Sequence, residues 1–232
     1  MAKSIDKLKF QDLMQYRVHE ILLVASPYDA FILEQDGRLS EQILTEFKGM
    51  NLNYAPRIWN AHTAKKALSM IEQRPYDLVI VMLRISDMNP LSFAKKIKDI
   101  YPRKPMVLLA FDESEVKALG DNIKDSFDNV FIWTGDSHVF AAIIKYVEDK
   151  KNVKRDIRIG DVRVILLVED NVRYYSTFYP EIYKQVLYHT KELMNKSLND
   201  THRLIRMRAR PKILLAKNYE DAKKYFNTYQ QN

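Results

Sequence analysis

The sequence predicts an α/β protein with a doubly wound parallel sheet of five strands, followed by a second, incomplete unit that is α/β or mostly helical. Two observations lead to this prediction. Between residues 19 and 150, short apolar runs of strand length alternate five times with helical patterns, as in parallel sheets with helices on both faces. The apolar run that begins this series then recurs in the last third of the chain.

The recurrence divides the chain into parts. Residues Ile21–Val24 have the same sequence as Ile165–Val168, and Pro56–Ile58 resembles Pro211–Ile213. The predicted parts are an N-terminal arm at 1–18, a first domain at 19–150, a charged linker at 151–161 and the start of a second domain at 162–232. The second copy of Asp77 would fall on Asn232, so we expect the second domain to be truncated.

Apolar runs and proline positions define the elements of the first domain. The predicted strands are Ile21–Val24, Arg57–Asn60, Asp77–Leu83, Met106–Ala110 and Val130–Trp133. Helical spacing fills the intervals. We expect a break at Gly37 within Asp29–Phe47, helix ends before Pro75 and Pro102, and a last helix over Ser137–Glu148.

The second domain begins with the apolar run Val162–Val168, which we interpret as a strand buried on both faces of a sheet. A long helical pattern follows from Tyr174 to Arg208, with candidate breaks at Pro180 and Asn199. A strand at Lys212–Ala216 and a helix at Tyr219–Tyr229 complete the prediction. The long helix carries five tyrosines whose spacing we expect to line one side, in partly buried contact with another chain: Tyr174, Tyr175, Tyr179, Tyr183 and Tyr188.

Composition excludes several classes of protein. The 232 residues are 47% hydrophobic, enough to fill a core, and include no cysteine, which excludes disulfides, thiol chemistry and cysteine-bound zinc. No apolar stretch approaches the ~20 residues of a membrane-spanning helix, and the first residues lack the apolar segment of a signal peptide. We therefore expect a soluble, cytoplasmic protein with no membrane partner.

Positive charge is concentrated in the second domain. The net charge is +7, yet residues 1–150 hold 20 Lys and Arg against 21 Asp and Glu, so the excess lies after residue 150. It is densest in a basic patch formed by Arg203, Arg206, Arg208, Arg210 and Lys212. Such a patch attracts phosphates or an acidic partner, although basic residues along a helix are more often a solvated face. Nucleic-acid binding is therefore our last functional alternative.

Two adjacent carboxylates, Glu169 and Asp170, follow the first strand of the second domain. Open α/β sheets bind ligands at the carboxyl ends of their strands, and Mg²⁺ prefers oxygen ligands. The pair is therefore either half of a Mg²⁺ site or a solvated acidic turn before the next helix, and the residues alone leave both interpretations open.

The order of elements from 19 to 150, with Asp77–Val81 leading into Met82–Asn89, resembles the receiver domain of bacterial two-component response regulators. The resemblance covers the first domain in full and the second over two strand–helix units. It implies a flavodoxin-like fold of the CheY type. It also implies phosphoryl transfer from a histidine kinase to an aspartate, with Mg²⁺ on an acidic pair and a Thr or Ser and a Lys at the phosphate.

The first domain departs from the receiver pattern at each of those positions. Ala25 and Ser26 replace the acidic pair, and Met82 replaces the accepting aspartate. Ala110 and Trp133 replace the hydroxyl and the lysine. A thioether cannot form an acyl phosphate, and phosphoryl transfer depends on positioned charges, so we predict no catalytic residue and no bound cofactor in this domain.

The resemblance thus implies a signalling module without catalysis. We expect a pseudo-receiver that acts through a protein partner or an adjacent domain and forms a homodimer; Mg²⁺ binding is expected only in an intact second domain. Asp29 and Asp87 lie near the altered positions, and we interpret both as loop residues with turn roles. The alternatives are a regulatory N-terminal region of a larger enzyme, such as a phosphotransferase resembling phosphoenolpyruvate synthase, or a nucleic-acid-binding response regulator.

Overall fold

The computed structural model describes residues 10–35, 38–49, 55–120, 123–197 and 199–231. The chain divides into two compact units. The first unit comprises Val18–Ile143, and the second combines Met1–Arg17 with Ile144–Asn232. The predicted break at Gly37, residues 1–9 of the predicted arm and Asn232 lie outside the described residues.

A five-stranded parallel sheet forms the core of the first unit. Its strands are β1 (Glu20–Val24), β2 (Arg57–Ala61), β3 (Leu78–Met82), β4 (Met106–Ala110) and β5 (Asn129–Ile132). Their order, β2-β1-β3-β4-β5, is that of the flavodoxin-like fold, to which CheY belongs. All residues of β3, β4 and β5 are buried, as expected for parallel strands covered on both faces. The predicted fold class is confirmed.

Helices connect these strands. They are α1 (Pro27–Gln35), α2 (Leu39–Gly49), α3 (Ala64–Gln73), α4 (Pro90–Ile100), α5 (Glu113–Ala118), α6 (Ile123–Ser126) and α7 (His138–Gly160). Side chains fix two of the helix starts, because Thr63 accepts a hydrogen bond from the Lys66 N–H and Asn89 accepts one from the Leu91 N–H. The short helix α6 was not expected from the sequence.

Helix α7 is longer than the sequence predicts. We expected it to end at Glu148 and a charged linker to follow at 151–161, but the helix continues to Gly160. The linker prediction is wrong because polar side chains of this segment are buried and paired. Asn152, for example, donates to the carbonyl of Tyr16 (2.7 Å) and accepts from the backbone N–H of the same residue (2.9 Å).

The second unit is mostly helical and contains a small parallel sheet. Its elements are β6 (Val164–Val168), α8 (Val172–Asn195), α9 (Asp200–Arg208), β7 (Lys212–Ala216) and α10 (Tyr219–Tyr229), together with a 3-10 turn at Phe10–Asp12 and most of α7. Helix α8 passes through Pro180, and the break in the long helix comes where Asn199 caps α9. No helix within the described residues has both the length and the apolar character needed to cross a membrane.

Strand β6 is less covered than predicted. We expected burial on both faces, but four of its residues are only partly buried and Val168 is 55% exposed, whereas β7 is fully buried. The reason is that β6 has a single neighbouring strand, β7, in the part of the chain that the structure describes. On one face, Val164 and Leu166 pack against a cluster of Val153, Leu214 and Tyr229.

The strand pairs β1–β2 and β6–β7 share one hydrogen-bond pattern. The N–H of Arg57 donates to the carbonyl of His19 (2.8 Å), and the N–H of Lys212 donates to the carbonyl of Arg163 (2.9 Å). The far ends of the two ladders correspond in the same way: Ala25 donates to Ala61, and Glu169 donates to Ala216. Residues at matching places in the two similar sequences therefore make equivalent backbone contacts.

Candidate functional site

The five residues that the sequence analysis compared with receiver positions lie at the carboxyl edge of the five-stranded sheet. Met82 and Ala110 are the last residues of β3 and β4, Ala25 and Ser26 directly follow β1, and Trp133 directly follows β5. The structure thus places all five predicted positions at one edge of the sheet. Open α/β sheets bind their ligands at this edge.

Apolar side chains occupy four of these positions. Ala25, Met82 and Ala110 are each 1% exposed, and Trp133 is 7% exposed. The Trp133 indole packs edge-on against Phe140, with 6.0 Å between ring centroids, and its backbone N–H donates to the carbonyl of Ala110 (2.7 Å). None of these side chains is an anionic oxygen ligand or a phosphoryl acceptor. The four residues therefore do not fit the Mg²⁺ ion that the receiver resemblance implies.

The fifth position, Ser26, begins a helix. Its hydroxyl oxygen accepts a hydrogen bond from the N–H of Asp29 (3.1 Å), and its carbonyl accepts one from the N–H of Ala30 (2.9 Å). This is the pattern of an N-cap residue, and Pro27 follows at the first helical position, where no N–H is needed. Ser26 therefore starts α1 through its side chain and its carbonyl group.

Asp29 has an environment that the sequence analysis missed. We interpreted it as a loop residue, which is wrong: it lies in the first turn of α1 and is fully buried. Within the described residues, neither of its carboxylate oxygens has a hydrogen-bond partner. Burial raises the pKa of this carboxyl, and the nearby Ser26 hydroxyl and the Arg84 charge lower it by less. One feature of the sequence could have indicated that Asp29 is buried: it lies four residues before Leu33, the other buried residue described for α1, and so on the same helix face.

An ion pair lies close enough to influence Asp29. The guanidinium of Arg84, in the loop after β3, lies 3.0 Å from one carboxylate oxygen of Glu115 in α5. The other oxygen of Glu115 accepts a hydrogen bond from the N–H of Phe111 (3.2 Å), and the Arg84 charge lies 5.8 Å from the ring centre of Phe111. The Arg84 side chain is 57% exposed, so this pair positions the α5 segment more than it stabilises the fold.

Asp87 lies in a loop, as predicted, but its side chain contacts the start of a helix elsewhere in the chain. Its carboxylate accepts hydrogen bonds from the N–H groups of Ala64 (2.7 Å) and Lys65 (2.9 Å) at the start of α3. The hydrogen bond from Lys65, with that from Ala64, lowers the pKa of Asp87. The partners belong to a different segment of the chain, which its position in the sequence did not indicate.

The carboxylate pair of the second unit lies between β6 and α8. One oxygen of Glu169 accepts a hydrogen bond from the N–H of Asn171 (3.0 Å), and the Asn171 side chain caps α8. No group of three or more His, Cys, Asp or Glu side chains within the described residues is placed to hold a metal ion. Glu169 thus has a turn contact, and the Mg²⁺ half-site at Glu169 and Asp170 stays a prediction.

The predicted basic patch is not a surface feature. Arg208, Arg210 and Lys212 are 9%, 3% and 0% exposed, respectively, which leaves Arg203 and Arg206 as its partly exposed members. The prediction is wrong because the density of positive charge along the sequence does not reveal the buried carboxylates that face these cations. The correction removes the main observation behind nucleic-acid binding.

Ionic contacts inside the second unit account for the burial of Arg210 and Lys212. The Nζ atom of Lys212 lies 2.6 Å from Asp156 and 3.8 Å from Asp149. Lys145 donates to Asp149 (2.8 Å) and to the carbonyl of Pro211 (2.8 Å), and burial lowers the pKa of its ammonium group to about 7 although Asp149 opposes this shift. A second buried pair joins Arg210 to Glu148 at 3.4 Å. The i,i+4 spacing of Lys145 and Asp149 was a sequence signal that we did not use.

Two side chains close the outer edge of β7. The N–H of Ile213 donates to Asp149 (2.7 Å), and the carbonyl of Ile213 accepts from the hydroxyl of Tyr179 (3.1 Å). Tyr179 belongs to a buried face of α8 with Tyr175 and Tyr183, whereas Tyr174 and Tyr188 are 54% and 58% exposed. The expectation that the five tyrosines line one side of the helix is therefore wrong.

The proteins of known structure that resemble this chain have low sequence identity to it. No protein-family model matches the chain, and no curated protein matches it in sequence. A two-component response regulator from Clostridium difficile is 17% identical over 58% of this chain and 98% of that chain, with a TM-score of 0.44. The signal receiver domain of a histidine kinase from Syntrophus aciditrophicus is 19% identical over 57% and 91% of the two chains, with a TM-score of 0.43.

A third solved structure belongs to a family of redox sensors in the streptococci that evolved from two-component response regulators. It is 20% identical to this chain, with a TM-score of 0.46, and the match covers 57% of this chain and 52% of that chain. The protein is similar in fold to these receiver-type structures.

Proposed function

We propose that the first unit is a pseudo-receiver: a signalling module that has the receiver fold and does not carry out phosphoryl transfer. The strand order supports the fold, and the side chains at the carboxyl edge of the sheet support the loss of the reaction. The observation that carries the proposal is Met82. This buried thioether ends β3, where a receiver domain places its accepting aspartate.

Without a phosphoryl group, such a module can change state only through a ligand that binds its alternative states with different affinity. A protein partner or an adjacent domain is the simplest such ligand. Helix α1 carries two aromatic side chains that suit a contact of this kind, because Tyr28 and Phe31 are 64% and 62% exposed and lie three residues apart on one helix face. Protein contact therefore replaces phosphorylation as the input in this proposal.

The second unit extends the proposal. The ladder of β6 and β7 has the hydrogen-bond pattern of β1 and β2, and Glu169 and Asp170 stand where Ala25 and Ser26 stand in the first unit. These equivalences support a receiver-like origin of the second unit, in tandem with the first.

Phosphorylation by a small donor tests the proposal directly. The full chain is incubated with Mg²⁺ and acetyl phosphate and weighed by intact mass spectrometry, beside a receiver domain that has its acidic pair and accepting aspartate. We expect a phosphoryl adduct on the control and none on the first unit. An adduct that peptide mapping places on an aspartate of Val18–Ile143, and that is lost in Asp29→Asn or Asp87→Asn, overturns the proposal.

A further inference from the structure

Strand β6 has an open edge within the part of the chain that the structure describes. In a parallel ladder, the N–H and C=O groups of alternate residues point to opposite sides of a strand. The hydrogen bonds that join Arg163 to Lys212 and Glu169 to Ala216 fix which residues of β6 face β7. The backbone groups of the alternate residues, Val164, Leu166 and Val168, therefore point away from β7. No strand pairs with them within the described residues.

The open edge of β6 differs from the outer edge of β7 and from the corresponding edge of β1, which both have hydrogen-bond partners. The outer edge of β7 is closed by Asp149 and Tyr179 at Ile213. In the first unit, the edge of β1 that corresponds to the open edge of β6 is occupied by β3, where the N–H of Asp77 donates to the carbonyl of Glu20 (2.8 Å). An open edge of three outward residues can pair with a further strand.

The open edge is complementary to itself. Val164 and Val168 lie two residues on either side of Leu166, and Arg163 and Glu169 lie three residues on either side. In an antiparallel pair centred on Leu166, each Val164 lies opposite the Val168 of the other copy. The same register places each Arg163 opposite the Glu169 of the other copy, so that cation faces carboxylate twice.

We propose that β6 pairs with β6 of a second copy of this chain, antiparallel and around a twofold axis at Leu166. The outward residues then exchange about six backbone hydrogen bonds in three hydrogen-bonded pairs. The result is a four-stranded sheet in the order β7-β6-β6-β7. Arg163, which is exposed, and Glu169, which is partly buried, flank the strand. Their opposite charges set the register and favour pairing with a second copy of β6 over an unrelated strand.

Charge reversal of the full chain tests the pairing. Sedimentation equilibrium should show a dimer for the native chain, and Arg163→Glu or Glu169→Lys should each raise the dimer dissociation constant about tenfold or more, because two attractive pairs become repulsive. The combined variant, with both substitutions, should recover native affinity. Two matched reversals elsewhere on the second unit, Lys191→Glu and Glu181→Lys, are exposed on α8 and should leave the constant unchanged.

Cross-linking tests the register independently of affinity. The chain contains no cysteine, so the variant Arg163→Cys with Glu169→Cys introduces the only thiols. Directly opposite residues of an antiparallel pair are close enough to form a disulfide. Mild oxidation should therefore give a covalent dimer, whereas Arg163→Cys combined with Lys191→Cys should not. Circular dichroism of each variant confirms that it is folded.

Three results would overturn the pairing: a native chain that stays monomeric at high concentration, a dimer that the single reversals do not weaken, or failure of the 163–169 disulfide to form in a folded dimer. The first result would favour a strand other than β6 of a second copy as the occupant. The outcome is independent of the pseudo-receiver proposal, because phosphorylation of the first unit and pairing of β6 are measured separately.

Discussion

The Nζ atom of Lys212 lies 2.6 Å from a carboxylate oxygen of Asp156, and neither side chain is exposed to solvent. Removing Asp156 leaves the buried Lys212 ammonium with only the more distant carboxylate of Asp149, which is also the partner of Lys145. We therefore expect Asp156→Ala to lower the free energy of unfolding by about 3–5 kcal/mol, measured by urea denaturation. Asp200→Ala, which removes the exposed partner of Arg203, should cost at most about 1 kcal/mol. Equal losses in the two variants would contradict the cluster.

Stability should rise with pH above neutrality because of Lys145. Burial lowers the pKa of its ammonium group from 10.5 to about 7, so between these values the unfolded chain binds more protons than the folded one. The free energy of unfolding should therefore increase from pH 7 towards pH 10 through this group. In Lys145→Met this contribution should vanish, so the native chain gains stability relative to the variant across that window. A difference that stays constant with pH would show that Lys145 is not perturbed.

Asp29 should have the opposite effect. Burial raises the pKa of this carboxyl above 3.8, its value in the unfolded chain. Between the two pKa values the folded chain binds more protons than the unfolded chain, so the free energy of unfolding falls as the pH rises. Asp29→Asn keeps the shape and removes the ionisation. We expect the variant to become more stable relative to the native chain as the pH rises above 3.8, in denaturant titrations at a series of pH values. A variant that loses stability equally at every pH would point to an unseen partner for the carboxylate.

The hydroxyl of Tyr179 should contribute measurably to the second unit. It donates to the buried carbonyl of Ile213, and Tyr179→Phe leaves that carbonyl unpaired. We expect a loss of about 1–2 kcal/mol in the free energy of unfolding. Tyr188→Phe removes a hydroxyl that is hydrogen-bonded to Glu192 on an exposed face, and its cost should be about zero. Both variants remove one tyrosine hydroxyl, so a difference in their cost reports the burial of the hydroxyl of Tyr179.

Two strands and one helix were located to the residue from the sequence. Strands β4 and β7 and helix α10 begin and end where predicted, because a buried parallel strand is an apolar run and Asn218 caps the helix that follows β7. The altered site positions could also be located, since each stands at a strand end.

The sequence did not reveal the buried charged residues, because their partners lie far away along the chain. Lys145, Asp149 and Asp156 have the composition of a solvated helix or linker, and only the position of Lys212 in three dimensions makes their burial favourable. The environment of Asp29 was missed for a related reason, because one acidic residue at a helix start normally caps it or faces solvent. Local spacing can indicate a pair within one helix, such as Lys145 and Asp149, but not which charges of distant segments lie beside that pair.

The closure of one margin of β7 by Asp149 and Tyr179 limits how far the small sheet can grow. A sheet with two free margins can add copies without end and become a fibre, whereas a sheet with one free margin is finished after a single addition. The two hydrogen bonds to Ile213 would therefore limit the proposed pairing of the small sheet to two copies.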